Sequence, residues 1–568
     1  MMPSEMAQKK AVLWALLGAC CLGLLFRFAF VWEVGRHPSL NVYLSQSDLY
    51  NYDLMAKDLL REQPLGLRMI GYPFFIHYLK IFYQVLGTSP LLFYLHQYLL
   101  GLFSVFLLYR IGCLHWSKFA GLAAALVYSL YKMNYFYDAL RIHTAISQFL
   151  IIAVLYFFCL YRKNDSIYSY AGFVLCGVLL GLIRAFLGLI VLGGLVFLFF
   201  HKKQWRQRAY FVVIVLGLIL SVTGFHRLHS PDAYGHKFGV HFYIGNHAGT
   251  IGLFKPLEGV RTHAQGFYQD TLLKAYQETG QREGMDHYWL KKTLDSYRGA
   301  PLEVIRTLRT KINLLVNNYE PHNHASVYFY EYMTSLKHYP RLDFGLILAF
   351  AVLGMMCLFR NKAPGRYLLV PFAAVLLMIF SVFFCSRYRM PAMPFFCLFA
   401  GYGIQQLIVS VRLRQYAVVV GLVAAGALTL FWSYQKMPLL DQGRDIAFWQ
   451  EKDAQRRRAV QIRQRAQGDY LRFERLSPEQ RIFVTKQLGE SGLMHEFFDV
   501  IDATLKQAWT RGDRVNYVYL LSLKASLLEE AFLYDQALEV WRQLQAYPTI
   551  HKIVDKKISD LTKFKTGT

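Results

Sequence analysis

The sequence predicts an all-α polytopic membrane protein of about eleven transmembrane helices, carrying a mixed extracytoplasmic loop domain and an α-helical, tetratricopeptide-like C-terminal domain. Three observations predict it. The chain is 55% hydrophobic and 16% aromatic over 568 residues, and apolar runs near the ~20 residues needed to cross a bilayer keep recurring. The positive charge is uneven: 40 Lys and Arg stand against 19 Asp and Glu before Tyr434, and 22 against 18 from there on. Most of the excess sits in short gaps between apolar runs, as orientation signals do. The net charge of +25 therefore reports membrane topology and does not call for nucleic acid. All eight cysteines lie in or beside apolar runs, so no disulfide framework or zinc ribbon is signalled.

Taken in order, Lys9 and Lys10 hold the start of span one, about Ala11 to Trp32, in the cytoplasm. Leu17-Gly18-Ala19-Cys20 resembles a lipoprotein cleavage site, but the apolar run continues through Val31, which fits an uncleaved span. Arg27, near its outer end, is costly in lipid unless it snorkels or faces a polar cavity. The first external loop covers 33–89 and contains Tyr72 to Leu86, an aromatic stretch interrupted by His77 and Lys80 that predicts an interfacial helix. Span two is Pro90 to Ile111, span three Phe119 to Phe136 and span four Thr144 to Tyr161. The run Tyr168 to Phe200 is too long for one span, and Arg184 near its middle predicts two short helices, spans five and six, meeting at an external turn. The basic gap at 201–208 is cytoplasmic. Span seven, Ala209 to about Gly224, leads to the large external loop, 225–343. Spans eight to eleven are Phe344 to Leu358, Tyr367 to Cys385, Ala392 to Val411 and Tyr416 to Trp432. Every even-numbered span ends in a basic gap, which places the N-terminus in the cytoplasm and, with an odd number of spans, residues 434–568 outside. The division is thus a membrane module, 1–433, and a soluble helical extracytoplasmic domain, 434–568.

In that tail, Phe497, Phe498, Val500, Ile501 and Leu505 recur at helical spacing, as do Ala537, Val540, Trp541 and Leu544. Residues 532–548 resemble the second helix of a tetratricopeptide repeat, with an ordinary amphipathic hairpin as the equal alternative. Either serves packing or partner contact.

Chemistry concentrates elsewhere. Between Ser45 and Gly66, Asp48, Tyr52 and Ala56 recur every four residues and line one face of a helix that Ser45 or Ser47 caps. Asp48 either favours the positive end of that helix or serves as a general base or metal ligand facing a cavity. The predicted topology brings Arg27, Asp48, Asp53, Lys80, Asp138, Arg141, His143, Arg184, Arg387, Tyr388 and Arg389 to the outer membrane face. They are read either as snorkelling cations with their neighbours or as a cavity where a carboxylate faces several cations. Arg387 and Arg389, followed by Pro391 and Pro394, suit a bidentate grip on a phosphate. In the large loop, Gly239 to His247 reads as a strand ending in a Gly-Asn turn. His241, His247, His263, His322 and His324 lack ligand spacing and read as polar surface groups. There is no P-loop, GxGxxG or kinase set, so a nucleotide-driven pump is unsupported. A transporter is disfavoured because the ionisable residues gather at one face and not at the midplane.

These features, in this order, resemble the polytopic GT-C glycosyltransferases, in the branch of bacterial relatives of protein O-mannosyltransferases and aminoarabinose transferases. The resemblance covers about Ala11 to Val411. It rests on Asp48-x-x-x-Tyr52-x-x-x-Ala56, Gly71-Tyr72-Pro73, LLGLIR at 179–184, FYIGNHAGTIGLF at 242–254, Pro301 with Lys311 and Glu320, and RYRMPAMPFFCLFAGYG at 387–403. It implies a bacterial inner-membrane, lipid-linked-sugar-dependent hexosyl- or pentosyltransferase. The sugar passes from a polyprenyl-phosphate carrier to an acceptor hydroxyl of a protein or glycolipid on the periplasmic side, with inversion. Asp48 would be the general base. Arg387 and Arg389, with Arg184 and Lys80 behind them, would hold the donor phosphate. Tyr52, Asp53, Asp138, Arg141, His143, Asn246 and Tyr388 are pocket candidates. No metal ligands are assigned, and a divalent ion is compatible but not indicated. Many mannosyltransferase relatives carry an acidic pair where this chain has Asp48-Leu49, which leaves the base on Asp48 with Asp53 as fallback; relatives often have Asn at the position of His247. The rival from another class is a non-catalytic membrane scaffold that recruits partners through the helical tail.

Overall fold

The computed structural model describes residues 3–37, 40, 48–60, 72–201, 217, 220, 224, 238–255, 257, 258, 260, 264–279, 285–437, 440–490, 494–530 and 534–566. Among them the regular elements are helical. The first block runs α1 (Pro3–Arg36), α2 (Asp48–Leu60), α3 (Pro73–Leu86), α4 (Pro90–His115), α5 (Lys118–Leu130), α6 (Lys132–Asp138), α7 (Thr144–Asn164), α8 (Ile167–Ile183) and α9 (Gly188–His201). The large loop holds α10 (Phe238–Asn246), α11 (Ala264–Thr279), α12 (Met285–Arg298), α13 (Leu302–Val316) and α14 (Val327–Met333). Then come α15 (Phe344–Arg360), α16 (Leu369–Ser381), α17 (Ser386–Arg389), α18 (Met393–Arg412) and α19 (Tyr416–Ser433). The tail is α20 (Gln442–Tyr470), α21 (Pro478–Glu490), α22 (Met494–Thr510), α23 (Arg514–Glu530), α24 (Tyr534–Leu544) and α25 (His551–Thr566).

Five stretches among the described residues are long and apolar enough to cross a membrane: Lys10–Arg36, Pro90–His115, Thr144–Asn164, Ser386–Arg412 and Tyr416–Ser433. Shorter apolar helices lie at the places expected for spans three, five, six, eight and nine. Span seven and the basic gap at 201–208 lie outside the described residues but for single positions. α1 and α19 turn large apolar side chains outward, Trp14, Leu25, Val420 and Leu428 among them, which suits lipid and not water. α18 is the opposite case. Met393 to Gly403 is buried without a gap, and α15 and α5 pack against it. Gly354 and Gly403 make the first of these contacts possible, because a Cβ on Gly354 would lie 1.9 Å from the Phe399 carbonyl oxygen and one on Gly403 2.3 Å from that of Phe350.

Three expectations are corrected. Span three breaks at Tyr131, which is extended at φ −69°, ψ 119°. Its neighbours are drawn into pairing with the end of the large loop: Leu342 N–H donates to Leu130 O at 2.7 Å and Lys132 N–H to Leu342 O at 3.3 Å. Span nine stops at Ser381, because the following backbone is held by the loop, with Phe384 N–H donating to Gly252 O at 2.7 Å. The strand expected from Gly239 to His247 is helix α10. Val240 and Ile244, four residues apart, are buried with Trp289, Val382 and Phe383, and this four-residue spacing suits a helix face as well as alternation suits a strand.

The tail has its own core, containing Leu488, Phe497, Ile501, Leu520, Ala537 and Leu544. α20 bridges to it: Trp449 belongs to the membrane-module core, while Tyr470 packs against the tail core.

Candidate functional site

Three helix breaks converge at one end of the bundle. The first is the turn Ala139–His143 between α6 and α7. Gln97, on α4, braces it by donating from Nε2 to Leu140 O at 2.6 Å and to Asp138 O at 3.2 Å. The second is Arg184, extended at φ −150°, ψ 108° between α8 and the turn Ala185–Leu187. The third is α17, whose four residues are all buried.

Arg184 sits at the meeting point. Its guanidinium carbon lies 4.3 Å from the ring centre of Phe186, 4.9 Å from Tyr388 and 5.2 Å from Tyr72. Among the described residues no carboxylate pairs with it, and its Nε is buried without a hydrogen-bond partner. Tyr72 in turn stands 4.6 Å from the His143 ring and 5.8 Å from Tyr52. Phe75 packs against both His143 and Tyr52. Arg387 faces Tyr388 at 5.5 Å, and its neighbour Ser386 shares a 2.9 Å hydrogen bond with the Tyr137 hydroxyl. Thus Tyr52, His143, Arg184, Arg387 and Tyr388 are brought together. A guanidinium held among aromatic faces keeps its charge while remaining poorly hydrated, which makes this a place suited to a multivalent anion.

Asp53 and Arg141 form the wall beside it. The Asp53 carboxylate accepts from Tyr83 at 2.6 Å, Arg141 Nη1 at 2.7 Å and Lys57 Nζ at 2.8 Å. Burial by itself would raise its pKa, but Arg141 and then Lys57 outweigh burial and hold the carboxyl below its ordinary value. Asp53 is therefore a charged strut that fixes α2 to α3 and to the 139–143 turn, and it is poorly suited to take a proton. Asp48 opens α2, one helical turn before Tyr52; its side chain lies outside the described residues.

Other candidates go elsewhere. Asp138 pairs with Arg27 in a buried ion pair. Gly101 makes room for it, since a Cβ there would lie 2.6 Å from Arg27 Nη2 and 3.2 Å from Asp138 Oδ2. Arg389 is turned away from Arg387. It donates to Glu320 at 3.1 Å and to the carbonyls of Leu314 and Asn317 at 2.9 Å each, and it is fully buried against Phe344. Two residues along a helix rotate a side chain by about 200°, so the arginines face opposite sides. Asn246 is an anchor: it donates to Ser381 O at 3.2 Å and accepts from Lys311 Nζ at 2.7 Å. Lys80 is half-buried on α3 with no ion pair among the described residues. His247 stacks on Tyr243 at 4.7 Å, so it is a packed ring and not a free surface group; His263 lies outside the described residues. Phe75 and Phe186 were not picked out from sequence, although Phe186 stands two residues after an arginine inside an apolar run.

No family model matches this chain, and no curated protein matches it. Among solved structures, the chain is similar to the apo oligosaccharyltransferase of Archaeoglobus fulgidus, at a TM-score of 0.40 and 12% identity over 75% of this chain and 56% of that one. It thus spans little more than half of the archaeal protein's length. It is also similar to that organism's AglB in complex with an inhibitory peptide and a dolichol-phosphate, at a TM-score of 0.39 and 13% identity over 76% of this chain and 57% of that one. A third likeness is to ArnT from Cupriavidus metallidurans bound to undecaprenyl phosphate, at a TM-score of 0.34 and 14% identity over 70% of this chain and 79% of that one.

Proposed function

We propose that this protein is a membrane glycosyltransferase that moves a sugar from a polyprenyl-phosphate carrier to an acceptor hydroxyl on the periplasmic side, inverting the anomeric carbon. The observation that carries the proposal is Arg184, buried among Phe186, Tyr388 and Tyr72 without a carboxylate partner among the described residues, with Arg387 also set against the Tyr388 ring.

In this reading the acceptor oxygen attacks the anomeric carbon while the bond from that carbon to the phosphate oxygen breaks. Asp48 takes the hydroxyl proton. The electron pair leaves with the polyprenyl phosphate, and Arg184 and Arg387 neutralise the charge that develops there. Because these cations are positioned before reaction, no solvent has to reorganise around the leaving group. The Asp53–Arg141–Lys57 cluster sets α2 in place and so positions Asp48. The apolar tail of the donor explains why such chemistry would be housed in a membrane module.

The test is acceptor-dependent release of polyprenyl phosphate by purified protein. Asp48→Asn is expected to stop release while donor still binds, and Arg184→Gln or Arg387→Ala to cut turnover about a hundredfold, the usual loss for one preorganised charge-stabilising group. Absence of binding of any polyprenyl-linked sugar to the wild type overturns the proposal.

A further inference from the structure

α13 has one buried face and one exposed apolar face. Thr307, Lys311, Leu314 and Leu315 turn inward and are buried. On the opposite side Leu302, Ile305 and Leu308 are 77%, 66% and 48% exposed, at the spacing of a single helical stripe. An outward apolar face is unfavourable in water.

The helix is tied to the end of α19. Trp432 Nε1–H donates to Asn313 Oδ1 at 3.2 Å, Asn317 Nδ2 to Gln435 O at 2.8 Å, and Asn318 N–H to Ser433 O at 2.7 Å. Between the two runs a groove of about 690 Å³, floored by Ile305, Leu308, Ile312 and Trp432. Arg309 and Lys436 stand in its lining, which holds no acidic residue. Neither has a carboxylate partner among the described residues. The floor continues into the apolar side of α19, where Leu428 and Phe431 are 69% and 70% exposed. Apolar floor, interfacial tryptophan and basic rim are the three parts that a phospholipid at a membrane surface calls for.

We propose that this groove is a binding site for an anionic phospholipid of the outer leaflet, with an acyl chain lying between α13 and α19 and the phosphate between Arg309 and Lys436. The inference rests on α19 as a span whose outer end is Ser433, and is independent of the glycosyltransferase reading.

The experiment uses the full chain in phosphatidylcholine nanodiscs doped with phosphatidylglycerol brominated on its acyl chains. Bromine quenches only nearby tryptophans, and the share of Trp432 among the nine is the difference between wild type and Trp432→Phe. Trp432 emission is expected to fall at brominated phosphatidylglycerol contents where brominated phosphatidylcholine has no effect. With Arg309→Gln and Lys436→Gln combined, about thirtyfold more brominated lipid is expected at low salt, as for two basic residues lost from a membrane surface. Both residues are exposed, so unchanged thermal unfolding and unchanged polyprenyl-phosphate release accompany that result. The proposal is overturned by equal quenching from the two brominated lipids, by indifference to the double substitution, by a Trp432 that no brominated lipid quenches, or by relief of quenching with stoichiometric undecaprenyl phosphate, which would make the groove a carrier site.

Discussion

Arg387 and Arg389 share a four-residue helix and one sequence motif, yet their surroundings assign them different work. Arg389 is enclosed with Glu320, whose carboxylate also accepts from the Tyr131 hydroxyl at 2.7 Å. Removing one partner of a buried pair strands the other, so Arg389→Ala is expected to destabilise the protein by about 3–5 kcal/mol, read as a loss of thermal stability in detergent. Replacing both, as Arg389→Met with Glu320→Leu, should recover most of that loss. Arg387→Ala is expected to cut turnover with a much smaller thermal change. Asp53 yields a pH prediction. Its folded pKa lies below the ordinary 3.8, so its contribution to stability is fully present above that value and is lost as pH falls through the lower, folded one. Thermal unfolding followed from about pH 6 down to about pH 3 should show an acid-side decline that is shallower in Asp53→Asn. That both arginines follow an apolar run was legible; which of them faces the cluster was not, because that depends on Glu320, far away in the chain.

At the scale of elements, spans were readable from uninterrupted apolar runs, and the paired short helices about Arg184 from a charge set within such a run. The breaks at Tyr131 and Val382 were not readable, since the groups that capture their backbone come from Leu342, Gly252 and Lys311. Lys311 is the clearest instance. Its ammonium donates to Asn246 Oδ1, Phe380 O and Val382 O at 2.7 to 2.8 Å, and burial pulls its pKa down to about 7. It joins α10, α13 and the end of α16. Lys311→Met keeps the packing but leaves buried oxygens without a donor, at about 1–3 kcal/mol each, and α10 should then exchange its amide hydrogens faster than α18 does. α10 itself was misassigned because alternation and four-residue spacing coincide over so short a stretch, and packing on α12 decides between them.

For the whole molecule, the two cores lead us to expect that residues 434–568 contain a unit that unfolds separately, joined through α20. The first turns of that helix dock on the membrane module, where Ser326 donates to Asp445 at 2.7 Å. Leu520→Asp, which places a charge in the tail core, is expected to lower one calorimetric transition and leave the other in place. The Arg27–Asp138 pair has a consequence for biogenesis. The two residues are 111 positions apart, so during synthesis α1 is delivered to the bilayer several helices before its counter-charge exists. Until α6 arrives, Arg27 has to reach the headgroups or borrow a provisional partner. Insertion of the first span is therefore completed late, and a ribosome-bound chain arrested before Asp138 should hold α1 less firmly in the membrane than one arrested after it.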